Sequence, residues 1–293
     1  MKYSYYPGCS MDATGIEYAK SLAYVNHVIG LEFAEIEDWN CCGATTGHVM
    51  SHELGLALPA RNLALSEQQY PGLPVVAPCA NCYSRMKIAA HAASGEEREK
   101  LSKLIEMPLS GNTDVVSLLD VYNTPSVKEA IGAAIVKPLK GLKAACYYGC
   151  LYTRPPKVTG AKNNEDPQGM DELMRLTGAE CVDWAFKTEC CGAAHHVDLP
   201  KECRLPLCRI YKNARANGAD AIVVACPMCM MNLDMRQEAI NMVYGEDFDL
   251  PVYFITELLA VAMGAGFKKS GVASHFHPAK KLLQRVMQGK GVV

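Results

Sequence analysis

Four short, mostly apolar runs stand out along the chain, and each ends just before a cysteine. They occupy residues 3–6, 75–77, 144–148 and 222–225 and are rich in valine, alanine and tyrosine. Apolar runs of this length, without a polar residue at every second position, are typical of strands in a parallel sheet that is buried on both faces. The pattern therefore predicts four buried strands.

Between these runs the apolar residues recur near helical spacing. Two stretches show this most clearly, with apolar positions at Ile16, Ala19, Leu22, Ala23 and Ile29 in the first, and at Leu54, Leu58, Ala60, Leu63 and Ala64 in the second. Strands that alternate with helices predict an α/β fold. In open α/β sheets, ligands bind beyond the carboxyl ends of the strands, which is where the cysteines fall.

Ten of the cysteines form two ordered sets of five, one in each half of the chain. The first set is Cys9, Cys41, Cys42, Cys79 and Cys82, and the second is Cys150, Cys190, Cys191, Cys226 and Cys229. Each set has a single cysteine, an adjacent pair followed by Gly-Ala, and a Cys-x-x-Cys pair. The long gaps contain 31 and 36 residues in the first set and 39 and 34 in the second. An internal duplication explains this order most economically.

The duplication predicts two similar domains, each a small, mostly parallel sheet flanked by helices. We place the first domain at residues 1–125, a linker with a short helix at 126–142, and the second domain at 143–293. The second domain should end in a basic helix that contains Lys280, Lys281, Arg285 and Lys290. It also carries a polar insertion at residues 154–169, which is either a binding loop or lid beside the site or a plain surface excursion.

Composition narrows the class of protein. The formal net charge of −2 and the pI of about 6.4 do not suggest a nucleic-acid partner, which would bring a basic surplus. The chain shows no secretory leader, and no apolar run approaches the roughly 20 residues that span a bilayer. We therefore expect a cytoplasmic protein, in which fourteen cysteines indicate metal or redox chemistry rather than disulfides.

The arrangement of the thiols limits what they can hold. Thiolates are soft ligands that select iron–sulfur clusters, zinc or copper(I). The side chains of adjacent cysteines diverge, so they favour different metal atoms, and Gly43 and Gly192 allow the backbone to turn tightly behind them. A zinc site or an ordinary cubane needs four ligands, whereas each set offers five.

The pattern C-x31–39-C-C-x35–36-C-x-x-C resembles the signature of the cysteine-rich CCG domain, and the 34-residue gap of the second set lies slightly outside it. The whole chain, with its opening Tyr-Tyr-Pro-Gly-Cys, resembles the B-type subunits of heterodisulfide reductase. This resemblance implies two similar CCG-type domains with one non-cubane [4Fe-4S] cluster in each. By position, the ligands would be the ten cysteines of the two sets.

The resemblance also implies a function. In that family the two clusters face a shared cavity and cleave a disulfide, which in methanogens is the heterodisulfide of coenzyme M and coenzyme B. Electrons would come from partners that resemble the ferredoxin-like C-type and the flavin-containing A-type subunits of heterodisulfide reductase. The chain has no GxGxxG after a predicted strand and no P-loop, so we expect flavin and nucleotide on those partners.

Three alternatives stay open. One is an electron-transfer or quinone-linked CCG subunit of an organic-acid oxidation system. Another is zinc in one of the two sets, or a zinc-stabilised scaffold without catalysis. A thioredoxin-like reaction at a bare Cys-x-x-Cys leaves six of the patterned cysteines unexplained.

Some residues outside the two sets are also candidates. Histidines are natural proton donors to a leaving thiolate, and arginines attract anionic substrates. The candidates are His195 and His196 after the second adjacent pair, His48 after the first, and Arg154 and Arg85 beyond cluster cysteines. Ordinary hydrogen-bonded or solvated roles are the alternative for each. We interpret Met228 and the unpatterned Cys146, Cys181, Cys203 and Cys208 as packing residues.

Overall fold

The computed structural model describes residues 1–195 and 198–289. The first half contains four strands and seven helices. In chain order these are β1 Lys2–Tyr5, α1 Ile16–Ile29, β2 Glu32–Glu35, α2 Gly47–Met50, α3 His52–Gln69, β3 Val75–Ala77, α4 Ala80–Ala92, α5 Gly95–Leu104, β4 Val115–Ser117, α6 Leu118–Tyr122 and α7 Pro125–Ala133.

The second half repeats the strands and differs more in its helices. Its elements are β5 Lys143–Tyr147, α8 Pro156–Thr159, α9 Gly169–Leu176, β6 Glu180–Cys181, α10 Arg204–Ala216, β7 Ala221–Val224, α11 Pro227–Tyr244, β8 Val252–Phe254, α12 Ile255–Ala262, α13 Phe267–Ser270 and α14 Lys280–Met287. Two short 3-10 turns lie at Ala193–His195 and Val272–Ser274.

Each half builds one four-stranded sheet, and the two sheets have the same topology. The strand orders are β2-β1-β3-β4 and β6-β5-β7-β8, and every pairing is parallel. The central strands β3 and β7 are buried along their whole length. The predicted fold class, two small parallel sheets flanked by helices, is confirmed.

The last strand of each sheet leads directly into a helix, and the same kind of hydrogen bond forms at the start of both helices. The Ser117 amide donates to the Asp120 carboxylate over 2.9 Å, and the Phe254 amide donates to the Glu257 carboxylate over 2.9 Å. A carboxylate three residues into a helix thus satisfies an amide that would otherwise lack a partner. The two halves therefore share the same strand-to-helix turn.

The two halves share one continuous hydrophobic core. Helix α1 of the first half packs against α12 of the second, where the rings of Tyr18 and Phe254 stack at 4.2 Å. Beside them the buried hydroxyls of Ser21 and Thr256 are 2.6 Å apart. Because this interface is buried and closely packed, the halves hold a fixed relative position.

The sequence pattern placed the central strands within one residue of their observed bounds but did not predict the edge strands β2, β4, β6 and β8. Helix α7 lies in the predicted linker, and α8 lies inside the predicted polar insertion. The basic C-terminal helix is α14, and Lys290 lies outside the described residues. Among the described residues, every helix is too short or too polar to cross a lipid bilayer.

Candidate cysteine sites for two metal clusters

The outer cysteine of each set follows a strand and a glycine. Gly8 and Gly149 have φ of 73° and 67°, a conformation that favours glycine. A Cβ atom at Gly8 would lie 2.9 Å from the Cys82 sulfur, and one at Gly149 would lie 3.1 Å from the Cys229 sulfur. At these two glycines the backbone can therefore pass close to a sulfur of the cysteine set in the same half of the chain.

A tyrosine two residues before each of these glycines fixes the loop of the adjacent cysteines. The Tyr6 hydroxyl donates to the Asn40 carbonyl over 2.8 Å, and the Tyr147 hydroxyl donates to the Glu189 carbonyl over 2.5 Å. Asn40 and Glu189 directly precede the adjacent pairs. Tyr6 is thus the structural counterpart of Tyr147, and Pro7 occupies the position of Tyr148.

Buried asparagines hold the same loops from the other side. Asn62 on α3 pairs with the backbone of Asn40 through two hydrogen bonds of 2.9 Å. Asn232 on α11 donates to the Cys191 carbonyl over 2.6 Å. The predicted site residues include neither asparagine, although each is a polar residue within a largely apolar helical stretch, which is a signal for a buried structural hydrogen bond.

The Cys-x-x-Cys pairs lie at the amino ends of two helices. Cys79 caps α4 and Cys226 caps α11, so Cys82 and Cys229 fall in the first turn of each helix. The partial positive charge of a helix amino end stabilises thiolates. Both halves therefore place the thiols of a Cys-x-x-Cys pair where the backbone would favour a negatively charged group.

Within each set the sulfurs converge. The Cys9 and Cys41 sulfurs are 3.8 Å apart, and those of Cys42 and Cys82 are 3.4 Å apart. In the second set, the Cys191 and Cys229 sulfurs are 3.7 Å apart. Three cysteines of each set are buried, whereas the outer ones are more accessible: Cys9, Cys41 and Cys190 are exposed and Cys150 is half-buried.

The electrostatics of these groups fit a bound cation. Contact with Cys42 and Cys79 and burial hold the pKa of Cys82 well above its usual range. The hydrogen bond with Cys150 lowers the pKa of Cys190 to about 6. Five thiolates this close repel one another, and metal ions among them would remove that repulsion. The donor set, the glycines and the helix ends together fit an iron–sulfur group better than a four-ligand zinc ion.

The two sets approach each other at the centre of the molecule. The Cys79 and Cys226 thiols, one from each set, lie close enough to interact, and this interaction raises the pKa of Cys79. The Tyr18 and Tyr152 hydroxyls contact the carbonyls of Pro78 and Ala225, which precede these two cysteines. The sites are therefore neighbours.

A cavity of about 210 Å³ lies between the halves, beside the second set. From the first half it is lined by Ala44, His48, Ala80, Asn81 and Arg85. From the second half it is lined by Cys150, Cys190, Cys226 and Cys229, with neighbours that include Tyr148 and Met228. Two of the predicted candidates, His48 and Arg85, therefore face sulfurs of the opposite half.

Arg85 is the unusual member of this lining. Burial lowers the pKa of its guanidinium, and the nearby Cys42 thiol opposes that effect. Within the described ranges, 1–195 and 198–289, the guanidinium has no hydrogen-bond or ion-pair partner. A half-buried cation without a protein partner is suited to an anionic ligand.

Other predicted candidates lie outside the cavity lining. The Arg154 guanidinium donates to the Thr188 carbonyl over 2.8 Å and pairs with Glu165 over 2.9 Å. His195 is exposed and lies 3.2 Å from the Asp198 carboxylate. His196 lies outside the described residues.

The polar insertion borders a second cavity of about 750 Å³, which Tyr148 also lines.

The unpatterned cysteines are not all simple packing residues. Cys203 and Cys208 are buried on or beside α10, and the Cys203 thiol donates to the Gly192 carbonyl over 3.1 Å. Cys146 and Cys181 place their sulfurs within 4.8 Å of the Asp171 carboxylate. That carboxylate is already bound by the Lys187 ammonium, at 3.1 Å. A cation thus already balances this carboxylate.

Comparison with known proteins identifies the duplicated pattern. The profile of the family described as CCG, cysteine-rich domain, matches residues 3–87 and 144–234. The 8-methylmenaquinol:fumarate reductase membrane anchor subunit of Wolinella succinogenes is 30% identical over 286 residues, covering 96% of this chain and 99% of that protein.

Two archaeal proteins are similar over nearly their whole length. The B subunit of the Ferredoxin/F(420)H(2)-dependent CoB-CoM heterodisulfide reductase of Methanosarcina acetivorans is 30% identical, covering 92% of each chain. A protein of Archaeoglobus profundus, described as like the B subunit of heterodisulfide reductase, is 25% identical, covering 99% of each chain.

A crystal structure of a hypothetical protein from Helicobacter pylori shares the fold, with a TM-score of 0.73 and 14% identity. The match covers 94% of this chain and 52% of that protein, so the chain spans about half the length of that structure.

Proposed function

Because the chain belongs to the cysteine-rich CCG domain family and its relatives include B subunits of heterodisulfide reductases, we propose that it is the disulfide-reducing subunit of a heterodisulfide-reductase-like complex. The cavity between the halves carries this proposal. It brings four sulfurs of the second set opposite an unpaired guanidinium of the first half.

The ten cysteines of the two sets would hold two non-cubane [4Fe-4S] clusters. When bound, such clusters would each supply one electron and an iron atom that can accept a sulfur, which matches the two electrons that cleavage of a disulfide needs. The cysteines fix the position of that chemistry, and the surrounding side chains select and protonate the substrate.

The substrate class follows from the lining of the cavity. Ala44, Ala80 and Met228 provide apolar walls, and Arg85 is the one arginine or lysine among the described lining residues. We assign to Arg85 the binding of a carboxylate, sulfonate or phosphate carried by one arm of the disulfide. Small anionic disulfides, including the heterodisulfide of coenzyme M and coenzyme B, fit this description.

The reaction consumes two protons as well as two electrons. Cleavage of R–S–S–R′ breaks the sulfur–sulfur bond, reduces both sulfurs and releases RSH and R′SH. His48 lines the cavity and is exposed, so it can pass a proton from solvent to a leaving thiolate. The electrons come from a separate redox partner.

Complex formation is supported by the relatives, which are subunits of reductases. We propose that a ferredoxin-like partner docks near the first set. There Cys9 and Cys41 are exposed, and the neighbouring Val49 and Met50 on α2 are also exposed. A flavin-containing subunit would supply the reductant to that partner.

The test is an assay of the anaerobically purified complex with reduced viologen and a panel of disulfides. Iron and acid-labile sulfide should be present in both sets, and anionic disulfides should be reduced faster than neutral ones. Zinc without iron would support a scaffold, and a lack of turnover across all thiol classes would reject disulfide reduction.

A second function is favoured by one comparison. The Wolinella succinogenes relative is named as a membrane anchor subunit of a methylmenaquinol:fumarate reductase. The same ten cysteines could serve electron transfer linked to a quinone. Oxidation of the reduced clusters by a menaquinone analogue, with no reaction towards disulfides, would select this alternative.

A further inference from the structure

Two tyrosine hydroxyls join the loops that carry the two cysteine sets. The Tyr152 hydroxyl lies 2.6 Å from the Pro78 carbonyl oxygen and 3.0 Å from that of Ala225. The Tyr18 hydroxyl lies 3.0 Å from the Ala225 oxygen and 3.4 Å from the Pro78 oxygen. The four oxygens form a closed ring that contains one carbonyl and one hydroxyl from each half.

The ring needs both hydroxyls. A phenol has one hydrogen to donate, and a carbonyl oxygen can accept two hydrogen bonds. Two hydrogens therefore serve four contacts, and each hydroxyl donates to one carbonyl at a time. Both tyrosines are buried, so water does not readily replace a missing hydroxyl.

Each tyrosine ring is held by an aromatic residue of the other half. Tyr18, from the first half, stacks on Phe254 of the second half, with ring planes 6° apart. Tyr152, from the second half, stacks on Tyr83 of the first half, with centroids 6.0 Å apart. The two tyrosines thus cross the interface in opposite directions, and stacking fixes both rings.

The ring of four oxygens lies next to the cysteine of each set that is nearest the other set. Pro78 directly precedes Cys79, and Ala225 directly precedes Cys226. The two thiols are close enough to shift each other's pKa, and a shift of either carbonyl would move one sulfur relative to the other. The positions of the hydroxyls therefore set the distance between the two sets.

We propose that Tyr18 and Tyr152 are positioning residues that fix the separation of the two clusters. This inference rests on the proposed function, because it needs a cluster in each set. A disulfide that receives two electrons from two one-electron centres requires both centres at a fixed distance. The tyrosine pair provides that constraint without touching the substrate.

The experiment uses the full chain, prepared anaerobically with its clusters, as the variants Tyr18→Phe, Tyr152→Phe and the double variant. Tyr211→Phe is the matched control. The Tyr211 hydroxyl is also buried and also donates to a carbonyl, that of Leu233 over 3.0 Å, but within the second half. The measurements are iron and sulfide content and electron paramagnetic resonance of protein in which both clusters are paramagnetic.

All variants should keep the iron and sulfide content of the unmodified chain. The spin–spin interaction between the clusters should weaken in each single variant and weaken further in the double variant, while Tyr211→Phe leaves it unchanged. An unchanged interaction in the double variant overturns the inference but leaves the proposed function standing. Loss of iron from the double variant alone also overturns it, because the hydroxyls would then build the sites rather than space them. Absence of iron from the unmodified chain rejects the proposed function itself.

Discussion

The two halves differ at the residue that lies two positions before the outer cysteine, Cys9 or Cys150. In the first half this is Pro7, which makes no hydrogen bond through its side chain. In the second half it is Tyr148, whose hydroxyl lies 2.6 Å from the Asp171 carboxylate. Asp171 in turn pairs with the buried ammonium of Lys187, which also contacts Asp166 over 2.8 Å.

What the halves share is equally specific. Both have a tyrosine hydroxyl that donates to the carbonyl of the residue before the adjacent cysteines, a glycine beside a sulfur, and a Cys-x-x-Cys pair at a helix amino end. The contacts that hold the cysteines are therefore repeated in both halves, whereas the residues around those contacts differ between the halves. The second half adds a buried charge network and supplies the sulfurs of the cavity, which suits it to substrate binding. The first half leaves two cysteines exposed, which suits it to a partner.

The largest effect should come from removing one ligand in each half. Cys82→Ser should lose the iron of the first set, and Cys229→Ser should lose that of the second, because both thiols lie at the centre of their sets. Each variant should retain about half of the iron and should lose disulfide reduction. Iron analysis and the viologen assay measure both results.

The control for these variants is Cys208→Ser, which changes a buried cysteine that belongs to neither set. Its iron content should remain that of the unmodified chain. Normal turnover by either ligand variant would show that one half suffices, and the shared reaction would be rejected.

The second-largest effect should come from the buried charge network of Lys187, Asp171 and Asp166 in the second half. The described ion pairs of the first half include no such network. Lys187 and Asp171 are 3% and 2% exposed, so Lys187→Met would leave a buried carboxylate without its cation. We expect a loss of about 3–5 kcal/mol in the free energy of unfolding, measured by anaerobic denaturation.

The first half offers a matched comparison in the ion pair of Lys2 and Glu32, at 2.7 Å and well exposed. Lys2→Met should change stability little, because solvent screens such pairs. Equal effects of the two substitutions would show that the network does not distinguish the halves.

Arg85 provides a test of the cavity from the first half. Arg85→Gln removes the charge that we assign to the anionic arm of the substrate. The KM for an anionic disulfide should rise about ten-fold, which corresponds to one charge-assisted hydrogen bond of about 1.5 kcal/mol, with less effect on a neutral disulfide. Arg209→Gln, at an exposed position on α10, is the control. Equal KM changes for charged and neutral disulfides would remove Arg85 from substrate binding.

The smallest effect concerns pH and the C-terminal segment of the second half. His275 and Glu257 form a buried pair at 2.8 Å. Although burial opposes it, the hydrogen bond to Glu257 raises the pKa of His275, and burial raises the pKa of Glu257. Both groups therefore hold their protons more tightly when folded.

The sign of the pH dependence follows from these shifts. The contribution of His275 is fully present below its unfolded pKa of about 6.5 and is lost as the pH rises through its higher folded value. Stability should thus fall above pH of about 6.5. His275→Gln should flatten that part of the curve in anaerobic thermal unfolding. A stability that rises over the same range would contradict the assignment.

The sequence predicted the elements whose signal is local. The buried runs at residues 75–77 and 222–225 became central strands because continuous apolar residues suit a sheet covered on both faces. The edge strands β2 and β6 were missed because they are short and their residues are partly exposed. The edge strands β4 and β8 are largely buried, but each runs directly into a helix, so its apolar residues do not form a separate run. In β2 the sequence Glu32-Phe33-Ala34-Glu35 does not alternate between polar and apolar residues, so it carried no clear strand signal.

For the site, the order of the cysteines was sufficient to predict which residues converge, and assignment of all ten as cluster ligands remains a prediction. The sequence could not show which half supplies the cavity sulfurs, because that depends on packing across the interface. It also could not reveal the contacts of Tyr18 with Pro78 and Ala225, since these residues are distant along the chain.

The most direct test of the central claim is anomalous diffraction at the iron absorption edge from crystals of the anaerobically prepared chain. The account predicts two iron clusters, one bonded to Cys9, Cys41, Cys42, Cys79 and Cys82 and the other bonded to Cys150, Cys190, Cys191, Cys226 and Cys229. Zinc in either set, or no iron beside the Cys41-Cys42 or Cys190-Cys191 pair, would contradict it.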